Sequence, residues 1–360
     1  MTELQERWAI GLMSGTSLDG IDGALILSDG RTVTRTGPSA TVAYDSSFRA
    51  SLRAQLGRDD PDGEVVRALT ERHGEIVARL LAAADLPASE IAVVGFHGQT
   101  LWHRPEQGRT CQIGDGARLA HLTGIDVVSD FRSQDMAAGG EGAPFAPLYH
   151  AALAAKQARP LAVLNLGGVG NVTWIGPGED NLLAFDTGPG NALIDDWVQL
   201  QSDQTCDLDG RLAASGRVDQ SVLERMLQAP YFERSPPKSL DRDDFDGSAV
   251  ANLSLADGAA TLTAFTAAAV SKARDHMAIP PGRWLVTGGG RRNPALMAAL
   301  CERLDAAVDP VEAVGWDGDA LEAQAFAYLA LRSIKGLPLS LPGTTGARRA
   351  TTGGVLHRAA

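Results

Sequence analysis

The sequence predicts an α/β protein of two lobes, built by duplication of one sheet-and-helix domain. Three observations support this. At 360 residues the chain is longer than one hydrophobic core ordinarily serves, so two domains of moderate size are expected. Apolar runs of strand length alternate with longer segments in which apolar residues recur every three or four positions, the pattern of strands and of the helices that cover them. The same device also opens each half. Two apolar runs joined by a glycine-bearing tip occur at 8–27 and again at 161–175, which suggests two copies of one domain facing a single nucleotide. The lobes are expected at 1–150 and 151–360, with the C-terminal tail able to pack on the first.

Charge and cysteine content narrow the function classes. The formal charge of −12 is spread along the chain and no Lys/Arg stripe stands out, so nucleic acid is not an expected partner. Cys111, Cys206 and Cys301 lie far apart, without a CxxC or a His at metal-ligand spacing. This argues against a disulfide framework or a zinc site and for a reducing, cytoplasmic setting. The opening MTELQERWAIG carries charge where a signal peptide needs an apolar core, and no apolar run reaches membrane-spanning length; a soluble protein with no membrane partner is expected.

In chain order, 8–13 and 21–27 read as strands joined by Ser14-Gly15-Thr16-Ser17-Leu18-Asp19-Gly20. A strand follows this tip, whereas GxxxxGK[ST] and GxGxxG turns open helices. Hydroxyls, glycines and an acid at such a tip suit the wrapping of phosphates by backbone N–H groups, with the acid toward hydrated magnesium; a plain hairpin tip uses the same residues. Val66, Leu69, Ile76, Val77, Leu80 and Leu81 mark the apolar face of a helix at 65–86, and a buried strand follows at 91–96. That strand is expected to end in His97-Gly98-Gln99-Thr100, with Trp102 and His103 behind, a set suited to sugar hydroxyls. A lone His is more often a structural hydrogen-bonding residue. A helix from Ala117 leads to a strand at 125–129, followed by Asp130, Phe131, Arg132 and Asp135. The run Ala138-Gly139-Gly140-Glu141-Gly142-Ala143-Pro144 is too rich in glycine for a regular element and reads as a substrate-side loop. A helix at 148–156 closes the first half.

The second half repeats the opening: a strand at 161–166, the turn Gly167-Gly168-Val169-Gly170-Asn171 and a returning strand at 172–175. Residues 182–185 then form a buried strand that delivers Asp186 to its end, before a turn through Thr187, Gly188, Pro189 and Gly190 and a helix begun by Asn191. Glycines beside an acid at a strand end let backbone N–H groups approach a ligand, which is how an anion or a sugar is held against a base; an Asx turn uses the same residues. The polar segment 202–246, with Pro236-Pro237-Lys238-Ser239, reads as an insertion or lid. Leu262, Phe265, Ala269 and Val270 mark a buried helix. A strand at 284–287 ends in Gly288-Gly289-Gly290, which permits close approach of a flat ring or a phosphate before the next helix. Glu322 lies in an alanine-rich helix at 319–333 whose inward face can reach a cleft between the lobes.

Six stretches together resemble the 1,6-anhydro-N-acetylmuramic acid kinases, bacterial enzymes of the sugar kinase, Hsp70 and actin superfamily. They are IGLMSGTSLDGID from Ile10, FHGQTLWH from Phe96, SDFRSQDMAAGGEGAP from Ser129, LNLGGVGNVT from Leu164, FDTGPGNALID from Phe185 and VTGGGRRNP from Val286. The resemblance covers nearly the whole chain and implies a two-lobed, actin-like ATPase fold, each lobe holding a mixed five-stranded sheet flanked by helices. It implies that Gly15, Thr16, Ser17, Leu18, Asp19, Gly20, Ile21 and Asp22 form a first phosphate loop, that Gly167, Gly168 and Asn171 form a second, and that Gly288, Gly289 and Gly290 face the adenosine. Asp186 matches the family's catalytic base. His97, Gln99, Arg132, Gly188, Asn191 and Glu322 are the expected sugar contacts; the Arg132 guanidinium suits a carboxylate, and a salt bridge to Asp130 or Asp135 suits it equally. Asp19 or Asp22 is expected to face Mg²⁺. The segment after Pro237 reads KSLDRDDF where a KSTGRE-like run is commoner, so no role passes to Lys238 or Arg242, and Glu141 stands where a neutral amide is usual.

The activity so implied is an ATP-dependent kinase that opens the 1,6-anhydro ring of its amino sugar with water and phosphorylates O6, in peptidoglycan recycling. A homodimer is the expected assembly. Two alternatives stand beside it: a plain sugar kinase of the same fold, in which Asp186 deprotonates a free hydroxyl, and a nucleotide-dependent switch protein of the actin or Hsp70 type.

Overall fold

The computed structural model describes residues 5–15, 17–178, 181–240, 242 and 244–359. The chain divides into two units, Met1–Lys156 with Asp319–Ala360, and Gln157–Gly318. The strands of both, in chain order, are β1 (Arg7–Ser14), β2 (Gly20–Ser28), β3 (Val33–Ala43), β4 (Ile91–Arg104), β5 (Arg109–Ile113), β6 (Val127–Ser129), β7 (Leu161–Leu166), β8 (Val169–Ile175), β9 (Leu182–Pro189), β10 (Arg283–Thr287), β11 (Ala307–Pro310) and β12 (Val355–His357).

The two sheets share one plan. In the first unit β3, β2 and β1 pair antiparallel, and β1, β4 and β6 pair parallel. In the second, β9, β8 and β7 pair antiparallel, and β7, β10 and β11 pair parallel. Two mixed sheets flanked by helices are thus built on the same five-stranded order. The first carries seven strands, because β5 pairs with the far end of β4 and β12 with β6. The extra hairpin corrects the expected strand end at Phe96. β4 runs on to Arg104 and turns back through Gly108 at φ 63°, so His97 and Gln99 lie within a strand.

Helix ends follow their capping residues. Asp62 accepts from the Glu64 amide at 2.8 Å to start Gly63–Ala84. Asn293 accepts from Leu296 at 3.1 Å, with Pro294 first in Pro294–Leu304. The segment 202–246, read as an insertion or lid, supplies part of a core. Val222, Leu223, Met226, Tyr231 and Phe232 are buried with Trp197 and Phe265 in a second apolar core of that unit, against the helix Leu255–Ala273. Its short helices carry too few turns for their apolar spacing to stand out in the sequence.

The boundary of the second lobe also differs from 151–360, since Asp319–Ala360 belongs to the first unit. The reason is a backbone contact. Gly11 and Gly95 are neighbours on the parallel strands β1 and β4, and a Cβ on either would overlap a carbonyl oxygen, of Ala323 or Phe326, in the helix Leu321–Ile334. The helix lies directly on the sheet, its Ala323, Ala325, Ala327 and Ala330 buried. Gly95→Ala is therefore expected to cost about 3 kcal/mol in denaturant unfolding; an unchanged midpoint would contradict this packing.

Candidate functional site

In the second unit, β7 and β10 run parallel with Asn165 opposite Thr287, so their C-terminal ends emerge side by side. This is the edge at which α/β sheets bind ligands, and both glycine turns, 167–168 and 288–290, lie there. The carbonyls of the first turn face inward. Leu166 O accepts from Asn191 Nδ2 at 2.7 Å, Gly167 O from the Asn191 amide at 2.7 Å, and Gly168 O from the Gly190 amide at 2.9 Å. Because the peptide is planar and trans, the amides of Gly167 and Gly168 point the opposite way, a pair of donors suited to an anion.

The glycines divide into two kinds. A Cβ added at Gly288, which has φ 74°, would overlap Asn165 Oδ1, one at Gly290 would come within 2.6 Å of Leu166 Cβ, and one at Gly190 would overlap the Gly167 carbonyl. The fold itself requires these. At Gly167, Gly168 and Gly289 a Cβ would meet nothing nearer than 3.7 Å, and none of the three has positive φ. Gly168 and Gly289 are exposed as well. No described residue demands glycine there, and open backbone of this kind admits close approach by a bound molecule.

Thr287, Asn165, Asn171 and Asp186 are successive cross-strand partners on β10, β7, β8 and β9, forming one polar row behind the glycines. Asp186 ends it. Its Oδ2 accepts from the Leu240 amide at 2.8 Å, its N–H donates to Lys238 O at 3.0 Å, and its carbonyl accepts from the Tyr231 hydroxyl at 2.6 Å.

In the first unit the hairpin tip is tied down by its carbonyls. The Tyr44 amide donates to Asp19 O at 2.9 Å, Arg49 Nη2 to Ser17 O at 3.2 Å and the Ser14 hydroxyl to Gly20 O at 3.3 Å. Ser14 also donates to Gln99 Oε1 at 2.6 Å and shares a 2.7 Å bond with Tyr44, whose buried hydroxyl is pushed up to about 12 by desolvation. On β4, His97 hydrogen-bonds the Gly98 carbonyl through Nδ1 at 2.9 Å, which makes Nδ1 the protonated nitrogen, and Nε2 accepts from Arg132 Nη2 at 2.9 Å. Burial, then the Arg132 charge, holds His97 well below the usual imidazole range, so it is neutral. Arg132 Nη1 donates to Gly142 O at 2.6 Å. The glycine-rich loop that supplies this oxygen is clamped by the buried Asp135, which accepts from the Gly142 amide at 2.8 Å, from Thr345 at 2.7 Å and from Ser340.

A family model for anhydro-N-acetylmuramic acid kinase matches residues 7–359. The chain belongs to this family. The anhydro-N-acetylmuramic acid kinase of Rhodospirillum rubrum is 59% identical over 98% of this chain and 95% of that one. The protein of the same name in Paramagnetospirillum magneticum is 56% identical over 97% and 99%. Among solved structures, the 2-hydroxyisocaproyl-CoA dehydratase activator of Clostridium difficile, with bound ADPNP, aligns with a TM-score of 0.47 and 12% identity over 91% of this chain and 96% of that one.

The residues expected from the family motifs divide by what their side chains touch. Leu18, at φ 54°, and Ile21 are buried in the first core, and Gly20 packs on the Val42 carbonyl, so these offer a ligand only backbone. Asp19 is exposed, with the Ser17 hydroxyl on Oδ1 at 2.7 Å; Asp22 is half-buried and accepts from Thr41 at 2.6 Å. Thr16 lies outside the described residues. Gln99 is wholly buried between Ser14 and the Thr100 carbonyl, and Trp102 is held between Arg104 and Arg109 with its indole N–H on Arg58 O. Both Gln99 and Trp102 make structural ties within the first unit. Gly188 has φ 144° and a Cβ added there would come within 3.0 Å of Ala269 Cβ, while Asn191 orients the 167–168 turn. The structure does bring His97, Arg132 and Glu322 into one electrostatic neighbourhood: Glu322 and Asp135 support the Arg132 charge against burial. The expected ion pair of Arg132 with Asp130 or Asp135 is replaced by its bonds to His97 and Gly142. Asn165 escaped the sequence reading; the signal was a lone amide inside the apolar run LAVLNL.

Two outcomes follow. Gly168→Ala should leave the thermal midpoint unchanged or slightly raised, by about 0.5 kcal/mol at most, whereas Gly190→Ala should lower it; equal losses would remove the distinction between open and packed glycines. The second concerns acid. Burial holds His73, His103 and His150 at about 4, below the 6.5 of a free imidazole. Each is neutral when folded and takes up a proton on unfolding below pH 6.5, so stability should fall as pH drops from 6.5 toward 4. Calorimetry should find a midpoint that declines through this range, and a flat profile would contradict it.

Proposed function

We propose that this kinase uses ATP and water to convert 1,6-anhydro-N-acetylmuramic acid into N-acetylmuramic acid 6-phosphate, in cytoplasmic peptidoglycan recycling. The observation that carries the proposal is Asp186, a single carboxylate at the end of a polar row beside two glycine turns, in a chain of this family. Asp186 acts as general base and takes a proton from the water that attacks C1. The C1–O6 bond breaks, O6 bonds to the γ-phosphorus and ADP departs. An inverting glycosidase needs a second carboxyl as acid to assist the leaving oxygen. Here phosphoryl transfer to O6 does that work, and one carboxylate suffices.

Gly167, Gly168 and Gly289 offer backbone donors and open approach to the phosphates, and Asn165 and Asn171 offer amides beside the base. In the first unit, the tip from Gly15 to Asp22 serves the phosphates, and Arg132, supported by Glu322, supplies a cation for the lactyl carboxylate. Among the described residues no group of three His, Cys, Asp or Glu forms a metal cluster. Mg²⁺ keeps most of its water and takes one or two carboxylates with substrate phosphates. Exposed Asp19 is the carboxylate that fits. Bound there, the ion would offset charge on the transferring phosphoryl group.

The test is a coupled ADP-release assay with Mg-ATP and the anhydro sugar, with the product identified by mass. Turnover should give a product heavier by one water and one phosphoryl group, and Asp186→Asn should lose at least about a hundredfold in kcat. A preference for the reducing sugar would point to a plain kinase, and ATP turnover indifferent to any amino sugar would point to a switch protein.

A further inference from the structure

Behind the strand that carries Asp186 stands a cation that neither the motifs nor the proposed reaction uses. Lys238 is 5% exposed. Its ammonium donates to the Tyr231 carbonyl at 3.2 Å and approaches His276 Nε2 to 3.4 Å, and it lies 4.7 Å from the Tyr231 ring centre and 5.8 Å from that of Phe185. The charged or titratable groups facing it are Arg234, Glu233, Lys272 and His276. Among the described residues no carboxylate forms an ion pair with it. Burial, then Arg234, lowers its pKa to about 8. Desolvating an ammonium is costly, and among the described residues no carboxylate paired with it offsets that cost.

What it holds is the segment that grips the base. Tyr231 and Lys238 are the two ends of one loop, and the ammonium of the second closes it onto the carbonyl of the first. From the closed loop, the Tyr231 hydroxyl reaches Asp186 O, Lys238 O takes the Asp186 amide, and the Leu240 amide reaches Asp186 Oδ2. We infer that Lys238 and Tyr231 are positioning residues, a clamp that fixes the orientation of the Asp186 carboxylate at the expense of stability. The inference rests on the reading of Asp186 as the base.

Lys238→Met keeps the length of the side chain and removes its charge. It should hold or raise the thermal midpoint at pH 7 while lowering kcat about tenfold, with KM for ATP unchanged. The acid limb of the kcat–pH profile should move, and hydrogen exchange should quicken in peptides covering Asp186 and Leu240. Wild type should also gain stability as pH rises through about 8, because the native lysine sheds its proton before the unfolded one does, and the variant should not. Tyr231→Phe, which deletes only the hydroxyl, should lower kcat and quicken exchange in the same way. Unchanged exchange in both variants overturns the clamp whatever the activity. Quickened exchange with unchanged kcat and acid limb overturns its positioning role. An active Asp186→Asn overturns the base reading instead, which the exchange measurement separates because it does not depend on turnover.

Discussion

The first unit depends on one close contact, that of Gly11 and Gly95 with the backbone of the helix Leu321–Ile334. Because no side chain stands between sheet and helix, β1 and β4 are held under the last long helix, and Asp319–Ala360 becomes part of the unit in which the chain began. The same two strands carry Ser14, whose hydroxyl meets Gln99, and His97, whose ring meets Arg132. The first turn of the helix carries Glu322. The hairpin tip and the basic group thus share one rigid support.

In the second unit the corresponding support is the helix Leu255–Ala273, so rich in small residues that nearly its whole surface is buried. Gly258 lets the Trp197 ring sit on it, and the Thr266 hydroxyl donates to Gly190 O at 2.9 Å. Gly190 and Asn191 in turn hold the carbonyls of the 167–168 turn, which turns its amides outward. The chain of contacts runs from helix packing to the direction of two N–H groups, and no charged residue is involved.

Charge is handled by exclusion and by fixed partners. His97 stays neutral because its environment disfavours a proton and Arg132 already occupies Nε2. Asp135 is buried, yet amide and hydroxyl donors satisfy it, and the loop it anchors delivers the Gly142 carbonyl to Arg132. Lys238 breaks the pattern as a buried cation that, among the described residues, has a carbonyl and two aromatic rings about it and no carboxylate paired with it.

Much of this protein was legible in the amino-acid order alone. The glycine tips, the acid after Phe185, the duplication and the family motifs are local in sequence, and turn chemistry and strand-length apolar runs report them directly. The sequence by itself determined the two mixed sheets, the family and Asp186 as the outstanding carboxylate. Tertiary structure decided what depends on partners far along the chain. β4 passes Phe96 because β5 is there to pair with it, and Gln99 is buried because Ser14 meets it. Asn165 gains meaning only beside Thr287 and Asn171, and Lys238 is buried because Tyr231 and Phe185 close over it. Register and burial are set by such distant contacts, and the identity of a residue carries no record of which neighbour will reach it.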